Sequence, residues 1–176
     1  ISSATYGGPA SEGAGGEVNL TITDSLDMQG GGQIRVDTWS GGNAGNVTIS
    51  THNLLIDGKG NSPFATGIFS DASDSSNGNG GDINLIVGDT LTLQNSGQIH
   101  AESWSVGDAG SINIHSGGAV IIVGVGTDND DLQPTSLAVS SMMIGQAGDI
   151  QVTTPYLQLS DGGGIFATSN MTSGGN

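Results

Sequence analysis

The chain of 176 residues contains no cysteine, so neither disulfides nor thiolate metal sites can hold it together. Cations are almost absent as well. Two Lys/Arg stand against seventeen Asp/Glu, and the formal charge of −15 repels phosphate backbones and anionic lipid, which argues against nucleic acid and membrane surfaces as partners. Aromatic residues make up 4% and hydrophobic residues 34%, too little for a compact sandwich or α/β core wrapped from both sides. No stretch approaches the roughly 20 apolar residues that cross a bilayer, and no basic segment followed by an apolar run opens the chain, so membrane insertion is not expected. What is abundant is glycine, 32 residues, accompanied by Asn, Ser, Thr and Asp, all residues that favour turns. Such a composition also suits disorder, but β-branched runs such as Val18 to Ile22, Ile83 to Val87 and Val120 to Val123 recur along the chain, and order is expected.

The recurrence is an internal repeat. Gly16-Glu17-Val18-Asn19-Leu20, Gly45-Asn46-Val47-Thr48-Ile49, Gly81-Asp82-Ile83-Asn84-Leu85, Gly110-Ser111-Ile112-Asn113-Ile114 and Gly148-Asp149-Ile150-Gln151-Val152 all read glycine, polar, apolar, polar, apolar. Their leading glycines are 29, 36, 29 and 38 residues apart, a basic period of 29 with two lengthened copies. A second apolar alternation follows each (Leu26/Met28, Leu54/Ile56, Leu91/Leu93, Val120/Ile122, Leu157/Leu159), and then a third (Ile34/Val36, Ile68/Ser70, Ile99/Ala101, Leu137/Val139, Ile165/Ala167). Polar turns such as Gly42-Asn43-Ala44-Gly45 and Gly107-Asp108-Ala109-Gly110 restart the cycle.

Three short period-2 strands per repeat predict one coil of a three-sided solenoid, a right-handed parallel β-helix of about five to six coils forming a single domain over residues 1–176. Stacked at about 4.8 Å, five coils make a column of roughly 25 Å, with Val18, Val47, Ile83, Ile112 and Ile150 as one interior ladder. An antiparallel sandwich or barrel gives no reason for the three-strand period. The extra residues, Asp57 to Phe64, Gly124 to Thr135 and a smaller stretch before Gly81, are predicted to be loops between strands. Ile1 to Tyr6 aligns with Ile165 to Asn170, so the chain is expected to open in a third strand. It closes near the next restart without a capping segment at either end, as a piece of a longer array or a unit stacking end to end would.

Gly42 to Ile49, Gly81 to Leu85 and Asn95-Ser96-Gly97-Gln98-Ile99-His100-Ala101 resemble the repeats of large exoproteins of the filamentous-haemagglutinin type, exported by two-partner secretion, particularly the glycine- and asparagine-rich versions of cyanobacteria and other environmental bacteria. The resemblance covers nearly the whole chain. It implies the parallel β-helix, export through a dedicated outer-membrane transporter, and a role in adhesion, filaments or matrix at the bacterial cell surface. The repeat specifies fold far more strongly than function. The family's secretion domain has no recognisable counterpart here.

Little points to catalysis. Asp37, Asp71 and Glu102 fall at equivalent outward positions of three successive third strands, near the separation of a glycosidase pair, but solvated surface acids are the simpler expectation on so acidic a chain. Calcium is the best-founded metal reading: Asp128, Asp130 and Asp131 concentrate hard oxygen ligands in one loop, and Asp71, Asp74 and Asp82 bracket a second, although neither stretch follows an EF-hand or nonapeptide pattern. His52, His100 and His115 lie in different repeats without a zinc spacing, and no serine elbow is present. Tyr6, Trp39 and Trp104 each stand five residues after an inward isoleucine; a row of aromatics can stack on sugar rings, but packing over a corner of the coil is the preferred reading. Phe69 and Phe166, on the outer face of the third strand beside His100, pose the same question. Outward Asn19, Thr48, Asn84, Asn113 and Gln151 are too mixed for an ice-binding threonine ladder and suit amides bonded along the axis. The expected function is a secreted structural or adhesive β-solenoid, not an enzyme, with further repeats, identical copies or glycans as partners; a polysaccharide-binding or polysaccharide-cleaving β-helix is the alternative.

Overall fold

Alternating apolar and polar residues form sixteen strands and no helix in the computed structural model, which describes residues 1–8, 10–60, 62–74, 76–125 and 134–170. All pairings are parallel and each links equivalent strands of successive coils. The first strands are β2 (Val18–Thr21), β5 (Val47–Thr51), β8 (Ile83–Val87), β11 (Ile112–Ser116) and β14 (Ile150–Thr153). The second strands, β3 (Ser25–Gln29), β6 (Asn53–Asp57), β9 (Thr90–Gln94), β12 (Ala119–Val123) and β15 (Tyr156–Ser160), make another five-stranded sheet. The third strands make a six-stranded sheet of β1 (Ser2–Tyr6), β4 (Gln33–Trp39), β7 (Gly67–Phe69), β10 (Gln98–His100), β13 (Ser136–Ser141) and β16 (Gly164–Ser169). The chain is therefore a three-sided parallel β-helix, as the repeat predicts.

Register follows the sequence alignment. Val18, Val47, Ile83, Ile112 and Ile150 are successive Cα partners, as are Leu26, Leu54, Leu91, Val120 and Leu157 on the second side. On the third, Ile34, Ile68, Ile99, Leu137 and Ile165 stack likewise. These ladders form one continuous core in which most members are wholly buried, each large aliphatic side chain contributing about 1.5–3 kcal/mol. At the last coil the ladders run out: Leu157 and Leu159, inward by register, remain 45% and 47% exposed.

The corners repeat as faithfully as the strands. Between second and third strands, Gly30-Gly31, Asn95-Ser96 and Asp161-Gly162 all hold positive φ at two consecutive positions, closing a tight turn in which Gly32, Gly97 and Gly163 donate to the carbonyls of Gln29, Gln94 and Ser160. At the restart, glycines are needed because coils touch backbone to backbone: a Cβ on Gly78, Gly107 or Gly145 would overlap the carbonyl of Gly42, Gly78 or Gly107 below it. Beside them, polar side chains cap the next coil. Asn43 accepts from the Asn79 N–H, Asn79 from Asp108, and Asp108 from Gln146; Asn46, Asp82 and Ser111 form a parallel chain ending at the Asp149 N–H. Buried Ser70 also donates to the Gly45 carbonyl at 2.7 Å, so the polar residue in the third-strand ladder is satisfied.

Candidate ligand-binding groove on the third-strand sheet

On the first-strand sheet the outward column of Asn19, Thr48, Asn84, Asn113 and Gln151 is polar throughout, and the Asn113 amide donates to Asn84 Oδ1 at 3.2 Å. On the third-strand sheet the outward columns mix charged, aromatic and small residues. Register places Ser2, Arg35, Phe69, His100, Ala138 and Phe166 in one column. The next column holds Ala4, Asp37, Asp71, Glu102, Ser140 and Thr168, and the third Tyr6, Trp39, Ser73, Trp104 and Met142, as fixed by the bridges from Thr38 to Ala72, Ser103 and Ser141.

The middle column lies in a trough. Its neighbours on either side are bulky, so Asp37 and Glu102 are each only 7% exposed, and the expectation of solvated acids is corrected. The third strand itself is shortened there. β7 stops at Phe69 and β10 at His100, and the Asp71 carboxylate accepts the Glu102 N–H at 3.0 Å before pairing resumes at Ala72 and Ser103. Arg35 Nε donates to Asp37 Oδ2 at 2.7 Å, and its Nη2 stands 3.9 Å from Asp71. Asp37 Oδ1 is buried and has no hydrogen-bond partner.

Burial, followed by the charges of Asp37 and Glu102, pushes the Asp71 carboxyl well above the usual carboxylate range, against the opposing pull of the Glu102 N–H and Arg35. Burial also raises Glu102, against the opposing pull of the nearby Ser140 and Trp104 side chains. His100 is lowered to about 4 because its imidazole is buried, edge-on to Phe69 at 5.8 Å and with Nε2 3.0 Å from Ser136 Oγ. The guanidinium of Arg35 caps the other side of this stack, 5.1 Å from the Phe69 ring centre.

The aromatic column is open. Tyr6, Trp39 and Trp104 are 79%, 40% and 48% exposed, so the two indoles bury part of their surface against the coil and leave the rest to solvent. Tyr6 and Trp39 stack at 6.4 Å and 20°, while Ser73 separates Trp39 from Trp104. Of the phenylalanines, Phe69 is buried beneath Arg35 and His100 and Phe166 is exposed. A groove of about 710 Å³ runs over this face, walled on one side by the loop residues Pro63, Phe64 and Ala65 and by Pro134. A slot of about 350 Å³ continues between the two tryptophans over Asp37 and Asp71.

Sequence reasoning identified both the acid stack and the tryptophan spacing. It missed their union in one trough and the roles of Arg35 and His100, which setting the three outward columns side by side would have disclosed. Asp71, Asp74 and Asp82 are not gathered round one point: Asp82 caps the Ser111 N–H, and among the described residues no three His, Cys, Asp or Glu side chains are placed to hold a metal ion. The calcium candidates Asp128, Asp130 and Asp131 lie outside the described residues. His52 and His115 lie away from His100, on the first-strand side.

Compared with known protein families, curated proteins and solved structures, the chain matches none. The resemblance to filamentous-haemagglutinin-type exoproteins therefore rests on the repeat motifs themselves.

Proposed function

We propose that this chain belongs to a secreted or cell-surface β-solenoid of structural and adhesive character, exported through an outer-membrane transporter, and that it binds glycans in the groove of its third-strand sheet. One observation carries the reading: a slot on this face is flanked by the exposed Trp39 and Trp104 and lined by Asp37 and Asp71. Ladder and corner residues need no such arrangement for stability, and aromatic faces beside hydrogen-bond acceptors are what a sugar offers partners to. Further coils or a second copy of the chain are the natural partners along the axis, where Leu157 and Leu159 would gain cover. The test is binding of the purified chain to immobilised neutral, amino-substituted and acidic polysaccharides. Retention on at least one is expected; retention on none removes the glycan reading.

Cleavage is a second reading, favoured by a specific pairing. Asp37 is held by Arg35, whereas Asp71, on the next rung with its backbone about 4.8 Å away, has its carboxyl driven toward the protonated form; retaining glycosidases likewise pair two unlike carboxyls. Release of new reducing ends, abolished by Asp71→Asn, would establish it; a bound but intact polysaccharide leaves adhesion.

A further inference from the structure

Two Asn-Gly pairs stand side by side in the restart before β8, Asn77-Gly78 and Asn79-Gly80, and no other asparagine of the chain is followed by glycine. With no side chain on the second residue to obstruct it, the glycine nitrogen of such a pair can close on the asparagine side-chain carbonyl carbon in a five-membered ring and expel ammonia. Closure needs three freedoms. The side chain must turn toward the following peptide, the main chain must bend to meet it, and the glycine nitrogen must give up its proton. A fold that pins any of them protects the pair.

Asn79 is pinned at every one. Its N–H donates to Asn43 Oδ1 at 3.0 Å and its carbonyl accepts the Ala44 N–H at 2.9 Å, so its main chain is clamped to the coil below. Its side-chain oxygen accepts the Asp108 N–H at 2.9 Å, and the attacking group itself, the Gly80 N–H, donates to the Asp108 carbonyl at 2.8 Å. Asn77 has none of these restraints. It is exposed on the corner, and among the described residues no hydrogen bond engages its side chain, its own peptide groups or the Gly78 N–H. Gly78 itself is tightly placed. A Cβ there would overlap the Gly42 carbonyl below, a Cβ on Gly107 would overlap the Gly78 carbonyl from above, and that carbonyl accepts Ser105 Oγ at 3.3 Å.

We propose that Asn77 is a site of spontaneous modification, at which the Gly78 nitrogen displaces the side-chain amide and the resulting imide opens to isoaspartate or aspartate. In the first step the bond from Gly78 N to Asn77 Cγ forms as the bond from Cγ to Nδ2 breaks, and the Gly78 proton leaves with Nδ2 as ammonia. One water then opens the ring. Cleavage at the side-chain carbonyl restores the ordinary peptide with an aspartate, whereas cleavage at the main-chain carbonyl routes the chain through the side chain as isoaspartate. Either product gains one negative charge, three residues from Asp74 in the tryptophan slot. Isoaspartate also adds a methylene to the main chain directly before Gly78.

The whole folded chain is held at mildly alkaline pH and sampled over weeks beside a portion kept unfolded in urea. Peptides covering both asparagines are mapped by mass spectrometry, with fragmentation that separates the two positions and the two acids. In urea both asparagines should convert at comparable rates, since each precedes glycine. In the folded chain Asn77 should convert about tenfold or more faster than Asn79, whose two bonds to Asp108 have to open before its ring can close. Conversion of Asn79 as fast as that of Asn77 in the folded chain, or an Asn77 that stays intact, overturns the site. A difference that persists in urea overturns the role of the fold. Asn77→Gln, whose ring would be six-membered and slow to form, should abolish the early product, and an undiminished product in that variant places the reaction elsewhere. The isoaspartate fraction should melt below Asn77→Asp, which carries the charge without the methylene; equal melting overturns the tight corner before Gly78.

Discussion

Acidification should weaken this β-helix through one imidazole. His100 is enclosed by Phe69 on the preceding rung, by Ser136 and Ala138 on the following one, and by Glu102 on its own strand, with Nδ1 3.8 Å from a Glu102 oxygen. Burial holds its folded pKa at about 4 against an ordinary 6.5. A depressed pKa contributes stability that is complete above 6.5 and is lost as pH falls toward 4, because only the unfolded chain takes up the proton in that window. Working the two values through gives a loss of about 2 kcal/mol at pH 5 and about 3 kcal/mol at pH 4 relative to pH 7. Glu102 is a weaker partner for the protonated ring than an ordinary carboxylate, since burial pushes its own carboxyl up. The raised carboxyls of Asp71 and Glu102 move stability in the opposite sense, gaining as pH falls through their folded values, so the total pH profile mixes both. Comparison with His100→Gln separates them, because the amide can still reach Ser136 but does not titrate. Urea unfolding of both proteins at pH 7, 6, 5 and 4 should show the wild type losing about 2 kcal/mol more than the variant by pH 5. Profiles that stay parallel to within about 0.5 kcal/mol would refute a neutral, buried His100.

Asp71→Asn should hold or raise stability at pH 7, since the amide oxygen can still accept the Glu102 N–H while an unfavourable ionisation disappears; a urea midpoint lowered by more than about 1 kcal/mol would show that the charge is needed. Gly110→Ala should cost about 1–3 kcal/mol because its Cβ would overlap the Gly81 carbonyl, whereas Gly8→Ala, with open space around it, should change little; thermal unfolding compares them. Ile83→Ala, in the middle of the first-strand ladder, should cost about 2–5 kcal/mol and Ile150→Ala, only partly buried at its last rung, clearly less; equal losses would argue against nearest-neighbour stacking as the source of stability.

The inward half of this molecule is legible in the sequence because its physics is repetitive. Val18, Val47, Ile83, Ile112 and Ile150 can be aligned by eye, and each demands the same face, so an error of one residue would turn every side of the coil outward. Even Ser70, the polar member of the third-strand ladder, follows once the Gly45 carbonyl is seen to need a donor. The outward half is legible only in part. Position along the chain places Asp37, Asp71 and Glu102 in a column, but solvent access depends on what stands beside that column, and Phe69, His100, Trp39 and Trp104 belong to the flanking columns. Local sequence also gives no sign that Asp71 would take the Glu102 N–H and cut β7 and β10 to three residues, since that bond joins residues 31 apart.

Such a division has a functional consequence. In a solenoid the interior ladders and corner glycines set stability, so an outward column can abandon the repeat without disturbing the stack. Here the cost of abandoning it is visible: buried Glu102 and largely buried Asp71 with raised pKa, a largely buried histidine with a lowered one and an unsatisfied Asp37 oxygen all lie on one face. Stacked asparagines or serines like those on the restart corner would remove each of these penalties. The exposed Trp39 and Trp104 and the slot between them lie on this same face, so the energetic cost and the ligand reading meet on one surface.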